Sequence, residues 1–278
     1  MDGEFNPVTT ELLLESYPGT LSFCAENLAS GARISWREDQ ISATASCIKL
    51  FLLVALFAQA ERGQVSLDER TVVAPGDHVG GSGVLKHLSP GVGLSWRDVA
   101  TLMIVLSDNI ATNMVIDQIG LEVVNQTIHA LGFRQTHLVN RIDFDAIGGD
   151  IAKLAVSTAA DSVACLKGLA MGTVVSPEAS RAMLDILSRQ HYVDLLPRYL
   201  PYDPYARDLG RQSAVSVAGK TGFFPGFRGD IVLLGKGDEQ VVMAAFASGA
   251  DLSFAPENAI ARALGEIGRS AFIRLTRP

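Results

Sequence analysis

At 278 residues, 48% hydrophobic and 19% charged, the chain is long enough for one or two packed domains with a sizeable core. A net charge of −7 and the lack of any Lys/Arg-rich run argue against nucleic acid or an anionic membrane as the main partner. No apolar stretch reaches the ~18–20 residues a bilayer-crossing helix needs, so membrane insertion is not expected.

Taken in order, residues 1–5 are acidic and lack the basic region and apolar stretch of a secretory signal. The chain as written therefore reads as cytoplasmic, or as periplasmic or secreted if a leader has been removed. Residues 9–17 have helical spacing and stop at Pro18-Gly19. Residues 20–25 and 33–36 predict two short strands joined as a hairpin. A helix follows, headed by Ser46 and apolar on every side from Leu50 to Ala58, a pattern that belongs in a core; Gly63 is placed as its C-terminal cap.

Residues 64–90 are loop-rich, with Gly80-Gly81-Ser82-Gly83 expected as a flexible lip. Ser95 and Asp98 form a capping box for the next helix, which leads into Ser107-Asp108-Asn109; helices follow over 110–119 and 123–131. Residues 140–154 read as a surface loop, and Thr158 with Asp161 as a second capping box opening a helix to about 171. A helix over 177–190 precedes an irregular, Pro- and Tyr-rich connection. Strands are predicted at 214–218, 229–234 and 241–248, and a final helix at 258–272. Strands at both ends with helices between imply an α+β fold, one antiparallel sheet beside a helical lobe. The chain reads as a single catalytic domain over 1–278. Its α/β lobe comes from about 1–45 and 205–278 and its all-helical lobe from about 46–204.

Chemistry concentrates in three short motifs: Ser46-Cys47-Ile48-Lys49, Ser107-Asp108-Asn109 and Lys220-Thr221-Gly222. On a helix, Ser46 and Lys49 share one face a turn apart, and a partly desolvated amine can take the proton of a serine nucleophile. Alone, Ser46 reads first as a helix cap beside a solvated lysine; the order and context of the three motifs raise the catalytic reading. Cys47 adjoins Ser46 but reads as core packing, and Cys24, Cys47 and Cys165 show no paired spacing. The five histidines have no ligand spacing, so neither a catalytic metal nor a cofactor is expected.

On these motifs the chain resembles the serine β-lactamases of class A and the penicillin-binding D,D-peptidases. The resemblance runs from about Thr20 to the C-terminal helix and implies an antiparallel sheet packed on a helical lobe, with the active site between. It implies that Ser46 attacks a carbonyl and is acylated, that Lys49 takes or relays the proton, and that Ser107, helped by Lys220, protonates the leaving nitrogen. Asn109 would hold the substrate amide and Lys49, and Thr221 the substrate carboxylate. The backbone N–H groups of Ser46 and Phe223, after Gly222, would hold the oxyanion. Arg228 is either beside that carboxylate or a solvated strand-end residue. The implied partner is a small molecule carrying a carboxylate and an amide or ester.

Two departures stand out. No glutamate occurs between Glu122 and Glu178, where class A enzymes carry the one that activates the deacylating water. Matching Arg141 to the family's loop arginine puts Asp143 at that place and Ile147 where an asparagine is usual. Asp143 is then either a shorter general base or a partner of Arg141. Second, Phe223-Phe224-Pro225-Gly226-Phe227 brings large rings where small residues are usual, narrowing the site, walling it or packing on the next loop. The expected activity is β-lactam hydrolysis, with a D,D-peptidase, esterase or amidase as the alternative. An alternative of another class is a β-lactam sensor that stays acylated.

Overall fold

Strands from the two ends of the chain meet in one sheet, because only together do their apolar faces find cover on both sides. The computed structural model describes residues 9–276, so the acidic segment 1–5 considered above lies outside it. In chain order, α1 (Thr10–Glu15) leads into the hairpin of β1 (Thr20–Asn27) and β2 (Arg33–Trp36), then β3 (Ser42–Ala43) and α2 (Lys49–Glu61). β4 (Arg70–Val72) and β5 (Gly93–Ser95) form a small ribbon before α3 (Trp96–Val105), α4 (Asn109–Ile119) and α5 (Leu121–Ala130). β6 (His137–Leu138), α6 (Phe144–Ile147), β7 (Ala155–Ser157), α7 (Ala159–Ala170) and α8 (Pro177–Leu187) follow. The chain closes with β8 (Ser216–Phe224), β9 (Phe227–Lys236), β10 (Glu239–Ser248) and α9 (Ala259–Leu275).

The main sheet is antiparallel, in the order β2-β1-β10-β9-β8, which leaves β8 at an edge. Period-2 alternation sends Phe23, Val232, Leu234 and Met243 to one face, where α9 supplies Leu264, Ile267 and Phe272. Cys24, Ile231, Val242 and Phe246 belong to the other core, shared with the helices. α2 runs through the middle of that core, with every residue from Lys49 to Gln59 buried, as its unbroken apolar sequence predicts. α7 lies on the sheet as well, and its Lys167 reaches Glu26 of β1 at 2.6 Å. No helix among the described residues is long and apolar enough to cross a membrane.

The structure corrects several local expectations. Ser46 lies inside a 3-10 turn (Ala45–Ile48), and α2 proper begins at Lys49. Segment 140–154 is not all loop: it carries α6 and a 3-10 turn (Ile151–Lys153). At Thr158 only half of the capping box forms. Its hydroxyl accepts from Asp161 N, but the Asp161 carboxylate turns away to Gln135 N (2.9 Å) and the Thr136 hydroxyl (2.9 Å). β8 runs six residues further than its β-branched stretch, to Phe224, so the whole of Lys220-Thr221-Gly222 lies in strand. A Cβ on Gly219 would lie 2.5 Å from Ile231 O, so glycine there serves close strand pairing.

Candidate active site

The nucleophile turn is held against the sheet by missing side chains. A Cβ on Gly222 would sit 2.5 Å from Thr44 O and 3.2 Å from Cys47 N; one on Gly229 would sit 3.1 Å from Cys47 Sγ. β8 and β9 therefore abut the backbone that carries Ser46, which is the work of Gly222. Ala45, just before the serine, has φ +44°, and Ser107 has φ +52°. Non-glycine residues in that left-handed region cost about 1–2 kcal/mol each and survive where packing over-determines them. Cys47 is fully buried, its Sγ 3.4 Å from Lys220 O, and burial pushes its thiol well above the ordinary range. It is a packing residue next to a half-exposed serine.

Lys49 has no exposure at all. Its Nζ donates to Ser107 O (2.7 Å), Ser107 Oγ (3.1 Å) and Asn109 Oδ1 (2.9 Å), joining the first motif to the second. Burial, and then the charge of Lys220, hold its pKa well below that of an ordinary lysine, with Asp108 opposing. The second motif is itself clamped. Asp108 caps α4 through Ala111 N (3.1 Å) and accepts Val84 N (2.7 Å) and Leu85 N (2.9 Å). Ser82 Oγ donates to Ser107 O (2.7 Å), and Asn109 Nδ2 to Gly80 O (2.9 Å). Cβ atoms on Gly81 and Gly83 would lie 2.5 Å from Asn109 Nδ2 and 2.3 Å from Asp108. The segment expected as a flexible lip is thus fastened to the motif.

Lys220 is equally buried and donates to Thr221 O (2.8 Å). Burial lowers its pKa to about 8, opposed by Cys47 and Asp230. Asp230 stands directly across the β8–β9 ladder from Thr221, and burial pushes its carboxyl up to about 8 although Leu196 N donates to it at 3.0 Å. Thr221 Oγ1 is buried without a hydrogen-bond partner, an acceptor and donor left open at this place. Gln190 Nε2 ties Ile104 O (3.1 Å) to Gly219 O (3.5 Å). Asp230, Gln190 and Ser82 belong to no motif; Ser82 alone had a signal, a lone hydroxyl among glycines. Among the described residues, no group of three or more His, Cys, Asp or Glu side chains is placed to hold a metal ion.

A family model described as the β-lactamase enzyme family matches residues 7–275. The chain belongs to the β-lactamase enzyme family. Among solved structures similar to it, a β-lactamase from Sphaerobacter thermophilus shares 27% identity over 97% of this chain and 98% of its own, with a TM-score of 0.84. PBP-A, of which a variant was solved as its acyl-enzyme complex with penicillin G, shares 25% identity over 95% of this chain and 94% of its own, with a TM-score of 0.80. A curated β-lactamase from Proteus vulgaris is 31% identical over 109 residues, 38% of this chain; the match spans 40% of that relative's length. The family's α+β fold, an antiparallel sheet with helices, is the fold found here.

The two departures of this β-lactamase-family chain have structural outcomes. Asp143 is exposed and caps α6, its Oδ1 accepting Asp145 N (3.0 Å) and Ala146 N (3.1 Å). Arg141 pairs not with Asp143 but with Asp117 of α4 (2.9 Å), correcting the expected partnership. Asp143 lines a cleft of about 330 Å³ with Asp77, His78 and Asn113; none of Ser46, Lys49, Ser107 and Lys220 lines it. Ile147 is fully buried. Arg228 is not a solvated strand-end residue, being 1% exposed. Its guanidinium donates to Phe224 O (2.8 Å), Phe227 O (2.7 Å) and Ser253 O, with its Cζ 5.3 Å from the ring centroid of Phe223 and 5.1 Å from that of Phe254. The aromatic run packs on the next loop, Gly226 meeting Leu252 and Phe223 sharing Arg228 with Phe254.

Proposed function

We propose that the protein is a serine hydrolase working through a Ser46 acyl-enzyme, with opening of a β-lactam ring, in the manner of class A, as its activity. One observation carries this reading: a fully buried lysine with lowered pKa, a turn beyond a half-exposed serine, donating to Ser107 and Asn109. Deprotonated, Lys49 keeps two donors and offers a lone pair to the Ser46 proton. The Ser46 Oγ–acyl bond forms, the ring C–N bond breaks, and Ser107, beside Lys49, returns the proton to the leaving nitrogen. Lys220 supplies positive charge near the developing anion, and Thr221 an open hydroxyl for the substrate carboxylate. The backbone N–H groups of Ser46 and Phe223 would hold the oxyanion. Residues from about 46–204 and from about 205–278 contribute alike, which supports reading 1–278 as one catalytic domain.

A second reading is favoured by Asp143, whose carboxylate is engaged as a helix cap: a protein that acylates readily and deacylates slowly, as a β-lactam sensor. Mixing the protein with a chromogenic cephalosporin while following colour and intact mass separates the two. Repeated turnover supports hydrolysis, whereas one equivalent of colour with a lasting adduct supports the sensor. An adduct that survives Ser46→Ala refutes both. With no adduct at all, activated esters and D-Ala-D-Ala peptides test the esterase and D,D-peptidase alternatives.

A further inference from the structure

Of the three acceptors around the Lys49 amine, one has a second donor. Ser107 O accepts from Lys49 Nζ and from Ser82 Oγ, each at 2.7 Å. The Ser82 hydroxyl has a single hydrogen, and its contact with Asn109 Oδ1 is the longer one, at 3.3 Å. Ser107 sits at φ +52°, so the doubly held carbonyl belongs to strained backbone. Ser82 is itself fixed to the same motif, because Asn109 N donates to Ser82 O (3.1 Å) and Val84 N to Asp108 (2.7 Å). A protonated lysine offers three N–H groups, one for each acceptor. As a base it must be neutral, with two N–H groups and a lone pair, so one acceptor loses its hydrogen from Nζ. A buried carbonyl left without any donor is costly; Ser107 O keeps the one from Ser82.

We propose that Ser82 is a positioning residue of the acyl-transfer site, whose hydroxyl keeps the Ser107 carbonyl satisfied while Lys49 gives up that bond to act as the base for Ser46. The inference rests on the acyl-transfer reading and adds to it a residue outside the three motifs. When the Ser46 proton passes to Nζ as Oγ bonds the substrate carbonyl carbon, the amine regains its third N–H and Ser107 O its second donor. The carbonyl is then hydrogen-bonded in both protonation states of Lys49, and the strained turn that presents the Ser107 hydroxyl is held through the step. The charges acting on Lys49 from the elements packed against it are those of Lys220 on β8 and Asp108 at the head of α4. Both remain when Ser82 is replaced, so a change in the titration of Lys49 reports the lost hydroxyl.

Ser82→Ala removes the second donor. The protonated amine keeps all its partners in that variant, and only the neutral form is disfavoured. The titration midpoint of Lys49 is read directly from the Cε carbon shift in isotope-labelled lysine, assigned with Lys49→Met. Ser95→Ala, which removes a capping hydroxyl of α3 outside the site, is the control for lost stability. The midpoint is expected to rise by about one unit in Ser82→Ala, a roughly ten-fold fall in the neutral fraction below it, and to stay in place in Ser95→Ala. Ser46 acylation by a chromogenic cephalosporin, timed by intact mass, should fall in the same proportion below the midpoint and converge with the parent above it. Thermal melts verify folding. A midpoint unmoved or lowered in Ser82→Ala, or raised equally in Ser95→Ala, overturns the role of Ser82 and leaves Ser46 acylation standing. So does a Lys49 signal that keeps one form over the whole stable pH range in parent and variant alike. Absence of any Ser46 adduct in the parent overturns the acyl-transfer reading, and the role of Ser82 with it.

Discussion

Lys49→Met separates a catalytic amine from a structural one. Methionine fills a similar volume, so the loss is three hydrogen bonds, to Ser107 O, Ser107 Oγ and Asn109 Oδ1. One of those acceptors keeps a donor, because the single Ser82 hydroxyl hydrogen goes to Ser107 O at 2.7 Å. Asn109 Oδ1 and the Ser107 hydroxyl lose their Lys49 partner, and the hydroxyl can rotate. The stability cost is then about two hydrogen bonds, ~2 kcal/mol, partly offset because an amine no longer has to be desolvated. In a domain of this size that is a Tm shift of about 4–8 °C. Removing a general base, by contrast, slows acylation by ~10²–10⁴, or about 3–5 kcal/mol of barrier. Time-resolved intact mass with a cephalosporin in excess, beside differential scanning calorimetry, reads both quantities on one sample. Acylation at Ser46 within about five-fold of the parent refutes the base assignment; a Tm lower by more than about 10 °C shows a structural lysine instead.

Asp230→Asn is expected to change how stability depends on pH. The folded-state pKa of Asp230, about 8, lies above the ordinary 3.8, so between those values the folded chain holds a proton that the unfolded chain has lost. This carboxyl therefore lowers stability as pH rises from about 4 to about 8. The Tm difference, Asn variant minus parent, should grow across that range, and a flat difference by calorimetry refutes it. Gly222→Ala places a methyl 2.5 Å from Thr44 O and should cost about 1–3 kcal/mol, with a slower Ser46 acylation. Gly76→Ala, with nothing within 4 Å of the added Cβ, is the neutral control. Equal melts and acylation rates for the two variants would show that the turn does not depend on the close approach of β8.

What the sequence made legible was periodic or local. α2, α3 and α4 announce themselves by apolar runs and caps, and the Ser95–Asp98 capping box forms fully. The edge pairing of β8 was hidden because two glycines interrupt its β-branched pattern, and their reason lies in other segments, at Ile231 and Thr44. β3, β6 and β7 are two or three residues long, too short for a period to register. In the site, three motifs marked the polar centre, but its surroundings come from distant chain. Ser82 is 25 residues from the backbone oxygen it reaches, and Phe254 closes over an arginine of β9. Arg228 illustrates the limit: charge alone left solvent open, and only the carbonyls of Phe224, Phe227 and Ser253 show how the side chain is buried.

The clamp on Asp108 divides the freedom of the site unevenly. That carboxylate takes three backbone N–H groups, from Val84, Leu85 and Ala111, so the glycine-rich segment and the head of α4 move as one piece. A substrate of different shape gains nothing from that wall, because shifting it breaks several bonds at once. On the sheet side, the two-residue turn at Pro225-Gly226 and the exposed stretch 252–254 are joined through the carbonyls that hold Arg228. Adaptation to a new leaving group should therefore accumulate on the sheet side, leaving the motif side to keep the reacting atoms in register.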